Sequence, residues 1–121
     1  TLLELAGHKG EEDEELDGIS IAPTLLGKEQ PDRRFLYREF SGYGGQQALW
    51  MGKWKGIRQR LLRDRKKSDK EKLRIQLYDL EKDISESEDV AAKNPEVVAR
   101  IRKLLEQEHT PSKFFPIKPL D

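Results

Sequence analysis

The chain has 121 residues, 35% hydrophobic and 38% charged, with Lys and Arg balancing Asp and Glu at 23 each. A chain of this length buries roughly two thirds of its unfolded surface, enough for one modest core drawn from a few concentrated stretches: 35–40, 46–61, 73–80 and 97–105. The neutral balance gives no ground for a nucleic-acid partner, and no apolar run approaches the ~18 residues that span a bilayer. The lack of cysteine excludes disulfides, thiolate metal sites and a cysteine nucleophile.

Leu2 to Ala6 is apolar at 2, 3, 5 and 6, and Gly7 follows, which predicts a short helix with a glycine stop. Because Thr1 stands inside that helical pattern, the chain is expected to be an excised piece of a longer one. Six of the seven residues from Glu11 to Asp17 are acidic, and the run contains no turn glycine. A calcium loop needs oxygens converging from a shaped turn, so a solvated linker is expected here instead. Asp17-Gly18 signals a turn, and Pro23 suits the first turn of a second short helix through Leu26, ended by Gly27.

From Pro31 the period changes. The aromatic-rich FLYREF at Phe35–Phe40 alternates as a strand with large side chains on both faces. After the glycine-bearing loop Ser41–Gly45, the segments 46–51 and 54–61 form a hairpin around Gly52-Lys53, a type I′ or II′ turn in which Gly52 supplies positive φ. Met51 then stands opposite Trp54. Leu49, Met51, Trp54 and Gly56 share one face, and Ala48, Trp50, Lys55 and Ile57 the other.

The polar stretch Leu62–Lys72 reads as a protruding hairpin tip, followed by a last strand over 73–80 that pairs back on 54–61. Asn94-Pro95 starts a helix, with Asn94 capping the free N–H groups. Val97, Ile101, Leu104 and Glu108 form its stripe, flanked by Val98 and Leu105. Pro111 ends it, and the tail FFPIKPL needs a covering surface, either this sheet or another domain. The fold class expected is therefore α+β: an antiparallel sheet of about four strands packed against one C-terminal helix.

Three places invite a functional reading. In the loop SGYGGQQ the glycines let a ligand approach the backbone, Tyr43 can stack on a sugar face, and Gln46 and Gln47 offer donors and acceptors; the plainer reading is an ordinary connection. Arg58 to Arg74 holds nine basic and three acidic residues, which suits a solvated tip or a contact with a polyanion. It lacks the aromatic interleaving of single-strand readers. His8 and His109 each lie just past a helix, where a partly positive ring meets the last carbonyls.

Six blocks carry a family resemblance: LLELAG at Leu2–Gly7, LDGIS at Leu16–Ser20, FLYREF at Phe35–Phe40, QQALWMGKWKGIR at Gln46–Arg58, QLYDLEKD at Gln76–Asp83 and HTPSKFFP at His109–Pro116. In this order they resemble the C-terminal part of the alkaline-phosphatase-like sulfatases, of a bacterial carbohydrate type. The resemblance implies that residues 1–30 are a remnant of the large sulfatase domain with a linker, and 31–121 a C-terminal subdomain. It also implies a missing N-terminal sulfatase domain as partner, a sulfated carbohydrate as substrate of the whole enzyme, and a periplasmic or secreted location.

In that family a formylglycine made from Cys or Ser in C/S-x-P-x-R attacks sulfur, and calcium balances the sulfate charge. Neither is expected within this chain. No serine among 20, 41, 68, 85, 87 and 112 stands in S-x-P-x-R, and Asn94 is the sole asparagine. The chain is expected to be inactive alone and to shape the substrate-pocket rim through Tyr43, Gln46 and Gln47. The alternative is a free-standing polyanion-binding module using the basic 58–74 hairpin. Trp50 departs from the family pattern, where Arg is common, so packing is expected there in place of a polar contact.

Overall fold

The structure is a computed structural model that describes residues 1–8, 18–63 and 68–121. The acidic tract and the centre of the basic tip, Asp64 to Lys67, lie outside the described residues. The chain divides into two compact units, Thr1–Arg33 and Arg34–Asp121.

In the first unit, α1 (Leu2–Leu5) and α2 (Ala22–Leu25) each end at a glycine with positive φ, Gly7 and Gly27, as the sequence predicts. The unit is held by polar bonds: the Ile21 N–H donates to Thr1 Oγ1 at 3.0 Å, and the Gln30 amide to the Ser20 carbonyl at 2.9 Å. Ala22 is its one buried hydrophobic residue among those described, while Leu2, Leu3, Leu5, Ile19, Ile21, Leu25 and Leu26 are exposed.

The second unit is an antiparallel sheet in the order β1-β2-β3-β4, with β1 at Leu36–Phe40, β2 at Gln46–Met51, β3 at Trp54–Gln59 and β4 at Gln76–Asp79. Met51 pairs with Trp54 and Leu49 with Gly56, so the expected register holds. Of the two central turn residues, Gly52 alone has positive φ (+56°), the pattern of a type II′ turn. Lys53 closes the hairpin end by an ion pair to Asp79 at 2.8 Å. Arg60, at φ +59°, turns left-handed and ends β3 two residues earlier than alternation suggests.

Helix α4 (Pro95–Gln107) covers one sheet face. Leu49, Ile75, Leu77, Ile101 and Leu105 are buried together there, each leucine or isoleucine contributing about 1.5–3 kcal/mol relative to exposure. Gly56 permits the close approach of helix and sheet: a Cβ at this position would stand 2.6 Å from Ile101 Cγ2 and 3.3 Å from Ile75 Cγ2. The opposite face carries a second cluster of Ala48, Ile57 and Tyr78, with Trp50 and Leu80 packed against it.

Three expectations need correction. The stretch Leu62–Lys72 is not all tip: Asp69–Lys72 forms helix α3, nucleated by a capping box in which the Glu71 N–H donates to Ser68 Oγ and the Ser68 N–H to Glu71 Oε2. Strand β4 is correspondingly shorter than 73–80, and the Leu73 carbonyl accepts from Arg58 Nε at 3.0 Å. Asn94 occupies the N-cap position but makes no cap bond; its amide donates back to the Val90 carbonyl at 3.0 Å. Of the tail FFPIKPL, Ile117 is buried at 2% exposure whereas Phe114 and Phe115 stay 83% and 69% exposed, which leaves a covering surface elsewhere as the expectation for the two phenylalanines.

The free edge of β4 is blunted by the loop that follows. Asp89 Oδ1 accepts from the Leu77 and Ala91 N–H groups, both at 3.0 Å, and the Val90 N–H donates to the Leu77 carbonyl at 2.9 Å. Asp83 organises the turn before it, accepting from the Glu88 N–H and from the hydroxyls of Ser85 and Ser87. The backbone N–H groups of Glu88 and Ser87, then the two hydroxyls, hold its carboxyl down at about 2. A depressed carboxyl gives stability that is present above its unfolded pKa, about 3.9, and is lost as pH falls through the folded value. The stability gap between wild type and Asp83→Asn should therefore be full at pH 5 and narrow towards pH 2 in thermal melts; a gap that does not change with pH would refute it.

Candidate functional site at the β1–β2 corner

The loop Ser41–Gly45 is shaped by its glycines. The Gly45 N–H donates to the Gly42 carbonyl at 3.0 Å, and the N–H groups of Leu61 and Leu62 donate to the carbonyls of Gly45 and Gly44 at 3.1 and 2.8 Å. Gly44 and Gly45 have φ of +88° and +80°, and a Cβ on Gly44 would stand 2.5 Å from Arg63 Cγ. Between them and Gly42, Tyr43 is held at φ 51°, ψ 23°. A non-glycine residue in this left-handed region costs on the order of 1–3 kcal/mol, and such strain collects at ligand sites.

The strained tyrosine projects its ring outward, 76% exposed. Its nearest aromatic neighbour is Phe40, with ring centroids 5.9 Å apart and planes at 56°. The Arg38 guanidinium lies 5.9 Å from the Phe40 centroid. Phe40 pairs with Gln46 across the strands, which puts Arg38, Phe40 and Gln46 on one sheet face at the corner where Tyr43 emerges. Two aromatic faces, a guanidinium and an amide can stack on a sugar ring and bind its hydroxyls and anionic groups. Arg38 and Phe40 were not singled out from sequence; the five-residue loop between the strands, which sets Phe40 opposite Gln46, was the available signal.

Gln47 is not part of this corner. Strand alternation turns it to the helix face, where it is 1% exposed and bonded internally. Its Nε2 donates to the Leu105 carbonyl at 3.0 Å and lies 3.1 Å from Tyr37 Oη and 3.2 Å from Glu39 Oε1, while its Oε1 accepts from Arg58 Nη1 at 2.8 Å. A ligand contact through Gln47 would require breaking these bonds, so the candidate set narrows to Tyr43 and Gln46 with Arg38 and Phe40 added.

The polar seam around Gln47 extends further. The Tyr37 hydroxyl bonds Glu39, and Glu39 Oε1 faces His109 Nδ1 at 2.6 Å; His109 Nε2 in turn lies 3.2 Å from Asp121 Oδ1. His109 thus bridges two carboxylates, where its position past α4 suggested contact with helix carbonyls. Burial, then the bond to Glu39, pushes the Tyr37 phenol well above its ordinary range. Burial lowers the Arg58 guanidinium, with Glu106 opposing the effect from 3.8 Å. His8 is exposed in the first unit.

The basic tip and Trp50 resolve differently. Of the cations between 58 and 74, Arg58 is buried, Lys72 is 3.5 Å from Asp69 and Arg74 is 3.0 Å from Asp89. Trp50 packs on the Ala48–Ile57–Tyr78 cluster, and Lys55 Nζ lies 5.2 Å from its ring while bonding Glu86 at 2.6 Å. Among the described residues no group of three or more His, Cys, Asp or Glu side chains could hold a metal ion. No helix among them is long and apolar enough to cross a membrane.

No protein-family model and no curated protein matches the chain. Ten solved chains do match in three dimensions. One is a sulfatase of Bacteroides thetaiotaomicron, from a core locus for the metabolism of multiple glycosaminoglycans, at 28% identity and a TM-score of 0.63. The match covers 88% of this chain and 22% of that one, so the chain spans about a fifth of the length of the protein it matches. In sequence blocks, fold and extent of match alike, this chain is similar to the C-terminal subdomain of a sulfatase.

Proposed function

We propose that this chain is the non-catalytic C-terminal portion of a sulfuric ester hydrolase and that Arg38, Phe40, Tyr43 and Gln46 help form the rim of its substrate pocket. The observation that carries the reading is the match, over 88% of this chain, to a limited segment of a sulfatase. Two further features support it. The exposed apolar side chains of the first unit, together with Phe114 and Phe115, call for a covering surface, and the large N-terminal sulfatase domain is the partner proposed. The strained Tyr43 beside Phe40 and Arg38 suits a sulfated carbohydrate, with rings against its C–H face and the guanidinium on its anionic groups.

The chemistry of such an enzyme, formylglycine and calcium, belongs to residues outside this chain, and the location proposed for it is periplasmic or secreted. The chain alone should give no turnover of an aryl sulfate or a sulfated disaccharide above background. In the whole enzyme, Tyr43→Ala should raise KM for a sulfated disaccharide about tenfold, a loss of ~1.4 kcal/mol, and leave kcat within about twofold. Turnover by the chain alone would sink the reading, as would an unchanged KM. A rival polyanion module based on 58–74 would have to act without Arg58, Lys72 and Arg74, which are engaged within the fold.

A further inference from the structure

On the other side of the sheet, a cleft of about 200 Å³ runs beside α4, lined by Arg34, Phe35, Met51, Arg100, Lys103, Leu104 and Gln107. Phe35, Met51 and Leu104, half-buried against the main core, give it an apolar floor. Arg34 enters from the approach to β1, and Arg100 and Lys103 from α4, all three exposed. Arg100, Lys103, Leu104 and Gln107 recur at i, i+3, i+4 and i+7, one face of the helix.

On a helix a cation can be matched by an acid three or four residues away on either side. Glu96 stands four residues before Arg100, but no ion pair joins them; Lys103 has Ala99 and Arg100 before it and Glu106 and Gln107 after it, and Glu106 is turned to Arg58 at 3.8 Å. Arg34, Arg100 and Lys103 have no hydrogen-bond or ion-pair partner among the described residues. Three cations without a partner over an apolar floor have the chemistry to take an anion that also carries apolar surface. Pockets for whole drug-sized ligands span roughly 300–1,000 Å³, so this smaller cleft suits one charged unit of a longer molecule.

We propose that this cleft is a second glycan contact, in which Arg34, Arg100 and Lys103 bind sulfate groups of a polysaccharide while a sugar C–H face lies on Phe35, Met51 and Leu104. Guanidinium groups are weakly hydrated and present paired N–H donors to tetrahedral oxyanions, and the floor excludes a purely ionic ligand such as free sulfate as the preferred occupant. The cleft lies on the helix side of the sheet, whereas Phe40 and Gln46 lie on the opposite face, so it would hold a remote part of the chain and raise affinity by linking two contacts. The choice of a sulfated glycan among polyanions rests on the proposed function; the unmatched cationic cleft does not.

The test is calorimetric titration of the full chain with a heparin hexasaccharide. The affinity should fall with salt with a log–log slope of about −2 to −3, as expected when about three cations are engaged by counterion release. R100E/K103E should weaken binding at least tenfold while the protein still melts cooperatively, its melting temperature lowered by the new like-charge pairs with Glu96 and Glu106; R100K should restore most of the binding, and R60E/R63E at the tip should bind as wild type. The inference is overturned if the hexasaccharide does not bind, if R100E/K103E binds normally, if R60E/R63E abolishes binding, or if inorganic sulfate or a single-stranded DNA of matched charge binds more tightly. None of these results bears on KM at the Tyr43 corner, so failure here is distinguishable from failure of the rim reading.

Discussion

Replacing Gln47 with leucine should destabilise the sheet by about 3–5 kcal/mol, more than most single substitutions, although Gln47 stands in a loop-adjacent pair that looks like surface. The amide is the buried partner of Arg58 Nη1 at 2.8 Å and the donor to the Leu105 carbonyl at 3.0 Å, so its loss leaves Nη1 of a buried guanidinium and a buried helix carbonyl unpaired together, while Arg58 Nε keeps its bond to the Leu73 carbonyl. Removing Arg58 as well, in Gln47→Leu/Arg58→Met, should cost less than the sum of the single changes, because both members of the polar pair then disappear. Urea unfolding of the four proteins measures this. A loss below 1 kcal/mol in Gln47→Leu would show that the seam contributes little.

Gly56→Ala is the second large effect. The added methyl would stand 2.6 Å from Cγ2 of Ile101, a fully buried side chain on α4, and overpacking of this kind costs typically 1–3 kcal/mol. Part of the loss should return in Gly56→Ala/Ile101→Ala, where the clashing atom is gone, so the double variant should be more stable than additivity requires. The same unfolding measurement decides it: strict additivity would mean that Gly56 is needed for its backbone alone.

These two residues also mark how far the sequence could be read. Gly56 and its cross-strand partner Leu49 follow from hairpin arithmetic, because a two-residue turn leaves one register and strand alternation then assigns every face. The helix from Pro95 was equally legible, since its stripe and its initial proline agree. Gln47 shows the limit. Alternation places it on the covered face, but its amide, next to Gln46 and just after a glycine-rich loop, carries the chemistry of a surface contact. Only the three-dimensional meeting of Arg58, Tyr37 and the Leu105 carbonyl explains why an amide is buried there. His109 is similar, for its partners Glu39 and Asp121 are distant in sequence and nothing local predicts them. The Ser68–Glu71 capping box, by contrast, was written in the sequence and is hidden only by the density of charge around it.

The left-handed Tyr43 sets two demands against each other. Asparagine or glycine would adopt its backbone conformation at lower cost, so the loop as it stands is less stable than the same loop with a smaller residue. Engineering this chain for stability would therefore select against the exposed ring, so that, if the corner holds a sugar as proposed, the most stable version of the loop would be the one least able to do so.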